Sequence, residues 1–281
     1  MDGDPEKQQV TPKFVQTLVF LLFFTACNSK KEDNISPLIV PEKQPEKITA
    51  GNRITQIGNG EKTIYLTFDD GPNKGTQNVL NIVNEEKVPA TFFVIGQQVN
   101  GSAWQRNTYQ HLLNSQIIEI ENHSYTHAHN KFNKFYTSPL GVVNDFVKCT
   151  DSLHLYNKIA RTPGRNIWRT ANISSTDIKP SANAADSVWK AGYTLIGWDV
   201  EWHFNNHLQL TESKEYIHAK IDSFFSKTQT KTANHLVLLA HDQSFADATD
   251  SSSLHQLIKQ LKNEGVYKIS TIIHYPTLHK N

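Results

Sequence analysis

Two aspartates stand side by side in Thr67-Phe68-Asp69-Asp70-Gly71-Pro72, and two histidines stand four apart in His123-Ser124-Tyr125-Thr126-His127. Adjacent carboxylates repel unless a cation is near, and their side chains point apart. One can ligate a metal while the other faces a substrate. Asp-Gly and Gly-Pro are also ordinary turn dipeptides, so the pair alone reads equally well as a solvated turn. Histidines four apart lie on one face of a helical turn and can reach a single ion. Neutral imidazole is a favoured zinc ligand. Together the two segments describe a two-histidine, one-carboxylate site with open positions. Three further segments carry groups of the same kind. Arg161 could orient a catalytic carboxylate by a charge-assisted hydrogen bond. Trp198-Asp199-Val200-Glu201-Trp202 sets carboxylates between tryptophans, which suits a cleft for sugar rings. His241, in Leu239-Ala240-His241-Asp242, is placed for proton transfer.

The elements that must position these groups alternate along the chain. Strands are expected at Thr63–Phe68, Ala90–Ile95, Ile117–Ile120, Tyr193–Trp198, His235–Leu239 and Val266–Ile273, with a short one at Ile159-Ala160. They are rich in β-branched and aromatic residues or continuously apolar. Helices are expected over Thr76–Lys87, from Ser138-Pro139 with Leu140, Val143, Phe146 and Val147 on one face, from about Glu212 with Ile217, Ile221 and Phe224, and through Leu254, Leu257, Ile258 and Leu261 to a stop at Gly265. Strand and helix in alternation imply a parallel sheet covered by helices, an open doubly wound sheet or a closed barrel. No glycine-rich phosphate loop follows the first strand. In either architecture chemistry belongs at the carboxyl ends of the strands, and every candidate group falls there.

The chain has 281 residues, a formal net charge of +1 and two cysteines. Near-neutral charge argues against a nucleic-acid partner. Two cysteines exclude a disulfide framework and a cysteine-rich zinc site. The apolar run Leu18–Ala26 is too short to span a bilayer, which takes ~20 residues, and suits a secretory signal. It ends at Phe24-Thr25-Ala26-Cys27, which resembles a bacterial lipoprotein box and makes Cys27 the expected lipidation site. Residues 28–60, with Pro37, Pro41 and Pro45 among charges and no aromatic residue, read as a tether. The expected organisation is a signal over 1–27, a tether over 28–60, a catalytic domain over 61–275 and a tail over 276–281. The protein is expected to be exported and membrane-anchored, in the periplasm or at the outer membrane or cell surface, and monomeric.

The five segments, in this order, resemble the polysaccharide deacetylase family, carbohydrate esterase family 4, with its NodB homology domain. Thr67–Pro72 matches the family's TFDDGP motif throughout, Ala90–Val94 its ATFFV strand and Asn122–His127 its NHxxxH segment. The resemblance covers roughly Lys62 to Ile273. It implies an α/β fold, a distorted (β/α)7 barrel, and a divalent ion, most often zinc, with cobalt or nickel as alternatives. By residue it implies Asp70, His123 and His127 as metal ligands, Asp69 as general base, His241 as general acid and Arg161 as the group positioning Asp69. Pro163 and Gly164 would line one wall, Trp202 and Leu239 another. Two positions depart from the pattern. Gly164 stands where the family has tyrosine. The fourth motif, normally DxxDW with an aspartate that tunes the histidine, reads either from Glu201, putting Phe204 and Asn205 at Asp-Trp, or ends at Glu201-Trp202. Asp199 or Glu201 would then support His241. The implied activity is a metal-dependent hydrolase of carbon–nitrogen bonds in linear amides, removing acetyl groups from aminosugars of a chitin-like or peptidoglycan-like chain, with an oxyanion held in part by a backbone N–H near Thr76 or Tyr125. An O-deacetylase of acetylated xylan and a carbohydrate-binding protein with little turnover are the alternatives.

Overall fold

Alternation of apolar residues with Thr67 and Asp69 already assigns the two faces of the first strand, and the computed structural model, which describes residues 60–278, bears that alternation out. Strand β1 (Lys62–Gly71) turns Ile64, Leu66 and Phe68 into a large apolar cluster beneath helices, and Tyr65 into a separate inner cluster. Helix α1 (Thr76–Glu86) leads to β2 (Ala90–Val94), then two further helices, α2 (Gly96–Val99) and α3 (Ala103–Asn114), and β3 (Ile118–Asn122). Next come α4 (Phe132–Phe135), α5 (Pro139–Leu153), β4 (Ile159–Ala160), β5 (Ile167–Arg169) and β6 (Ser174–Thr176). The chain closes with α6 (Ala182–Lys190), β7 (Thr194–Leu195), β8 (Val200–Glu201), α7 (Lys214–Ser226), β9 (His235–His241), α8 (Ala248–Asn263) and β10 (Tyr267–Ser270).

Parallel ladders run in the order β8, β9, β1, β2, β3, β4, β7, and no ladder joins β7 to β8 among the described residues. The sheet therefore curls into a barrel that stays open along one seam, the α/β fold expected. Strand β10 pairs with the first half of β1, where β2 does not reach. Strands β5 and β6 extend the β7 edge antiparallel. The carboxyl ends of β1, β3, β4, β8 and β9 face one rim, and the chemistry gathers there.

Several expectations shift. Helix α5 buries Val142, Phe146, Cys149 and Leu153, while Leu140 is 70% exposed and Val147 39%. The expected stripe was thus displaced from the true one, because Cys149 counts as a buried hydrophobe. In α7 the buried residue is Phe225, with Phe224 beside it only partly covered. The strand expected at Tyr193–Trp198 shrinks to two ladder residues, because Gly197 must admit other groups: a Cβ there would lie 2.1 Å from Asn166 Oδ1. Helices α3 and α6 bury short faces, the first Thr108, Tyr109 and Leu112, the second the small residues Ala184 and Ala185 with Val188. The tail does not begin at 276: Leu278 is buried in the inner cluster and its carbonyl accepts from Thr194 Oγ1 at 3.0 Å. The expected signal, the lipidation site Cys27 and nearly all of the expected tether lie outside the described residues.

Candidate metal centre and catalytic cleft

Period-two alternation sends Asp69 inward and would send Asp70 outward among the helices. A register shift between Asp69 and Gly71 against β2 prevents that, and Asp70 adopts φ +75°. The bulge turns both carboxylates toward the rim. A non-glycine residue in that region costs of order 1–3 kcal/mol, which the surrounding packing must hold. His123 follows the last residue of β3, and His127 does not lie one turn along a helix from it, as the spacing suggested. Ser124 has φ +65°, and His127 through Asn130 all have φ between +48° and +57°. This left-handed run, tolerated by Asn and His better than by branched residues, folds His127 back over His123, with ring centroids 5.2 Å apart.

The three expected ligands converge. Asp70 Oδ1 lies 3.4 Å from His123 Nε2 and 3.1 Å from His127 Nε2. That oxygen is buried and, among the described residues, has no hydrogen-bond partner of proper geometry. Each ring's other nitrogen is taken: His123 Nδ1 meets the Arg161 carbonyl at 3.0 Å, and His127 Nδ1 meets Asn130 Oδ1 at 3.0 Å. Both Nε2 atoms are thereby aimed at the same point. Burial opposes charge on Asp70, yet the two imidazoles hold its carboxyl well below the usual carboxylate range. Burial likewise opposes charge on His127, and Asp70 outweighs it, raising that imidazole. Two nitrogens and one carboxylate oxygen, with an unsatisfied buried oxygen at their centre, are a donor set for a divalent ion. A second trio, Glu85, Glu86 and His255, is closed by Lys262 Nζ at 3.2 Å from Glu86.

Arg161 is fully buried beyond β4 and spans the barrel interior. Its Nη1 donates to Asp69 Oδ1 at 2.9 Å and Thr67 Oγ1 at 2.7 Å, its Nε to the Ile196 carbonyl at 3.1 Å and its Nη2 to the Gly197 carbonyl at 2.9 Å. It lies 4.2 Å above the Phe93 ring centroid. Asp69 Oδ2 is left facing the metal group, 3.7 Å from His123 Nε2. His241 pairs in register with Asp69 on the adjacent strand, so both point inward at the same level.

These groups line one cleft of about 470 Å³, with Trp198, Gly164 and Leu239 in its walls. Two expected wall residues are elsewhere. Trp202 is wholly buried, its ring against Phe245 and its Nε1 donating to the Glu212 carbonyl at 2.8 Å. Trp198, partly buried, lines the cleft instead. Pro163 is also buried and does not line the cleft; its carbonyl accepts from Tyr136 Oη at 2.7 Å. Gly164 has φ +61°, and a Cβ there would sit 3.1 Å from the Phe132 ring. Phe132, edge-on to His127 at 5.4 Å, is thus the aromatic wall where the resemblance led to a tyrosine.

Neither carboxylate expected to support His241 does so. Asp199 accepts from the backbone N–H of Lys231 at 2.7 Å and of Val237 at 2.8 Å, and burial pushes its pKa up to about 6. Glu201 lines the cleft, yet His241 Nδ1 is buried with no hydrogen-bond partner among the described residues. The ring against His241 is Phe204, centroids 5.0 Å apart. Of the two motif registers, the one starting at Glu201 therefore fits, with an apolar ring at the aspartate position. The backbone donors expected for an oxyanion are engaged: Tyr125 N–H donates to Asp145 Oδ2 at 3.1 Å and Thr76 N–H to the Asn73 carbonyl at 3.2 Å. Asn130, Phe132, Phe204 and Asp145 escaped sequence reasoning; of these only Phe204 carried a signal, as a break in a motif.

Residues 56–163 match the family model described as polysaccharide deacetylase. The chain is 28% identical over 240 residues to the chitin disaccharide deacetylase of Vibrio alginolyticus, covering 61% of this chain and 56% of that one. It is 26% identical over 226 residues to the peptidoglycan-N-acetylglucosamine deacetylase of Bacillus cereus, covering 77% and 89%. With the bifunctional xylanase/deacetylase of Pseudobutyrivibrio xylanivorans it is 40% identical over 220 residues, covering 77% of this chain but 31% of that protein. It therefore spans little more than half of the first relative and under a third of the last. The fold is that of the catalytic domain of peptidoglycan N-acetylglucosamine deacetylase from Eubacterium rectale, at TM-score 0.57 and 24% identity over 80% of this chain and 95% of that one.

Proposed function

We propose that this chain, which matches the polysaccharide deacetylase family model over residues 56–163, is a metal-dependent hydrolase that removes acetyl groups from N-acetylated aminosugars of a polysaccharide. The observation that carries this reading is the convergence of Asp69, Asp70, His123, His127 and His241 in one cleft. Asp70, His123 and His127 would hold the ion, and their donor set suits zinc, with cobalt or nickel next. Bound there, a divalent ion supplies Lewis-acid polarisation of the acetyl carbonyl and makes water easier to deprotonate.

The chain's own residues do the rest. Arg161 fixes Asp69 through Oδ1, which leaves Oδ2 to take the proton of the attacking water. Trp198 and Phe132 both line the cleft and offer aromatic surface to a pyranose ring. His241, level with Asp69 across the strand pair, is placed to protonate the departing nitrogen, since an amine leaves poorly without a proton. The same groups would cleave an acetyl ester. The 40% identity to a xylanase/deacetylase favours O-deacetylation as the second reading. Export and anchoring through a lipid on Cys27 belong to the same proposal, supported by the sequence pattern alone.

Acetate release from chitin oligomers, peptidoglycan and acetylxylan tests the reading, with and without a chelator. The expected result is release from an N-acetylated substrate, abolished by the chelator and restored by zinc. No release from any of the three by the zinc-loaded protein would overturn it.

A further inference from the structure

The cleft contains a fourth imidazole, which the scheme above leaves unused. His203 lines it with its side chain half exposed. Its Nδ1 lies 2.8 Å from Glu212 Oε1, and its backbone N–H donates to Glu212 Oε2 at 3.0 Å. Thr211 Oγ1 donates to that same oxygen at 2.9 Å. Glu212 is in turn tied to the core, because its carbonyl accepts from the buried indole of Trp202. A carboxylate on Nδ1 keeps the hydrogen on that nitrogen and leaves Nε2 to exchange protons with the cleft. Glu201 Oε2 faces Nε2 at 3.7 Å. His241 has the opposite surroundings: no partner on Nδ1 among the described residues and an aromatic edge beside the ring. One small hairpin closed by the Phe204–Leu210 bridge carries both Phe204 and His203 to the rim.

We propose that His203, oriented by Glu212, is a second proton donor of this cleft and, on the route it serves, delivers from Nε2 the proton that His241 would otherwise give to the leaving group. The inference rests on the deacetylase reading. In the step, the water oxygen bonds to the acetyl carbon and its proton passes to Asp69. The carbon–nitrogen bond breaks, the nitrogen keeps the electron pair, and it takes the proton from the Nε2–H of the His203 imidazolium. What remains is the neutral ring with its hydrogen on Nδ1, directed at Glu212. Nε2, being half exposed, regains its proton from solvent as Asp69 releases one.

The test compares full-length wild type with His203→Gln and Glu212→Gln, zinc-loaded, on the N-acetylglucosamine tetramer and on 4-nitrophenyl acetate, whose leaving group departs without a proton. The expected result for His203→Gln is a kcat on the amide lower by ~10²-fold, a loss on the ester at least roughly tenfold smaller, and little change in KM. Glu212→Gln should shift the same ratio in the same direction by less. Zinc content and melting temperature show whether each variant is folded. An unchanged amide kcat, or equal losses on both substrates, overturns the proposal. Failure of the deacetylase reading would look different: wild type itself would release no acetate from the tetramer, and this inference would fall with it.

Discussion

Arg161→Lys separates two services of one residue. The guanidinium is fully buried and satisfies Asp69, Thr67 and the carbonyls of Ile196 and Gly197 while stacking on Phe93. A lysine ammonium keeps the charge but has three tetrahedral donors in place of a planar fork. If it retains Asp69 and Thr67, two buried carbonyls lose their partner, at about 1–3 kcal/mol each, and the stacked cation over Phe93 is lost, about 1–2 kcal/mol more. The expected destabilisation is roughly 3–8 kcal/mol, and for a domain of this size about 1 kcal/mol moves the melting temperature by ~2–4 °C, so the variant melts roughly 6–30 °C lower. The backbone carbonyl of residue 161 stays, and it is this atom that orients His123. Zinc affinity should therefore change by less than about tenfold. Thermal unfolding of the metal-free protein and competition against a chromophoric chelator measure the two quantities independently. A variant that melts with wild type yet loses zinc as His123→Ala does would refute this division of labour.

Asn130→Gly removes the acceptor from His127 Nδ1 at a left-handed position, and should weaken zinc binding ~10–100-fold, whereas Asn130→Asp keeps both acceptor and backbone preference and should hold it; equal affinities in the two variants would exclude the role. Trp202→Ala should cost about 3–5 kcal/mol in denaturant unfolding, as a buried tryptophan does. Trp198→Ala should chiefly raise KM for polymer, and the reverse assignment would restore Trp202 to the cleft wall. Asp199, with its native pKa raised from 3.8 to about 6, binds its proton more tightly folded than unfolded. That contribution is fully present at low pH and is lost as pH rises through about 4 to 6, up to about 3 kcal/mol. The unfolding free energy of wild type relative to Asp199→Asn should therefore fall between pH 4 and pH 7, and a difference independent of pH would contradict it.

Side-chain periodicity and residue identity were enough to place Asp69, Asp70, Arg161 and His241 at strand ends, because a strand's direction and the face it buries follow from a few neighbouring residues, whereas Glu201 ends a strand of its own, β8, that the pattern did not announce. The ordered motifs likewise made the α/β barrel legible before any coordinate, and they singled out Asp70, His123 and His127, whose side chains converge in the structure. Helix faces were less secure: Cys149 and Phe225 lie on the buried stripes, while Leu140 does not. What only the tertiary structure decided is which groups meet. The bulge at Asp70, the left-handed run from His127 to Asn130, the ring of Phe132 over Gly164 and the diversion of Asp199 to backbone amides are set by packing between distant segments. Trp198 and Trp202 stand at equivalent spacing about the same carboxylates, and only the seam beside β8 leaves one in the cleft and the other in the core. Short-range pattern determines the elements, but the aim of a side chain at a rim depends on contacts across the barrel, which no local sequence contains.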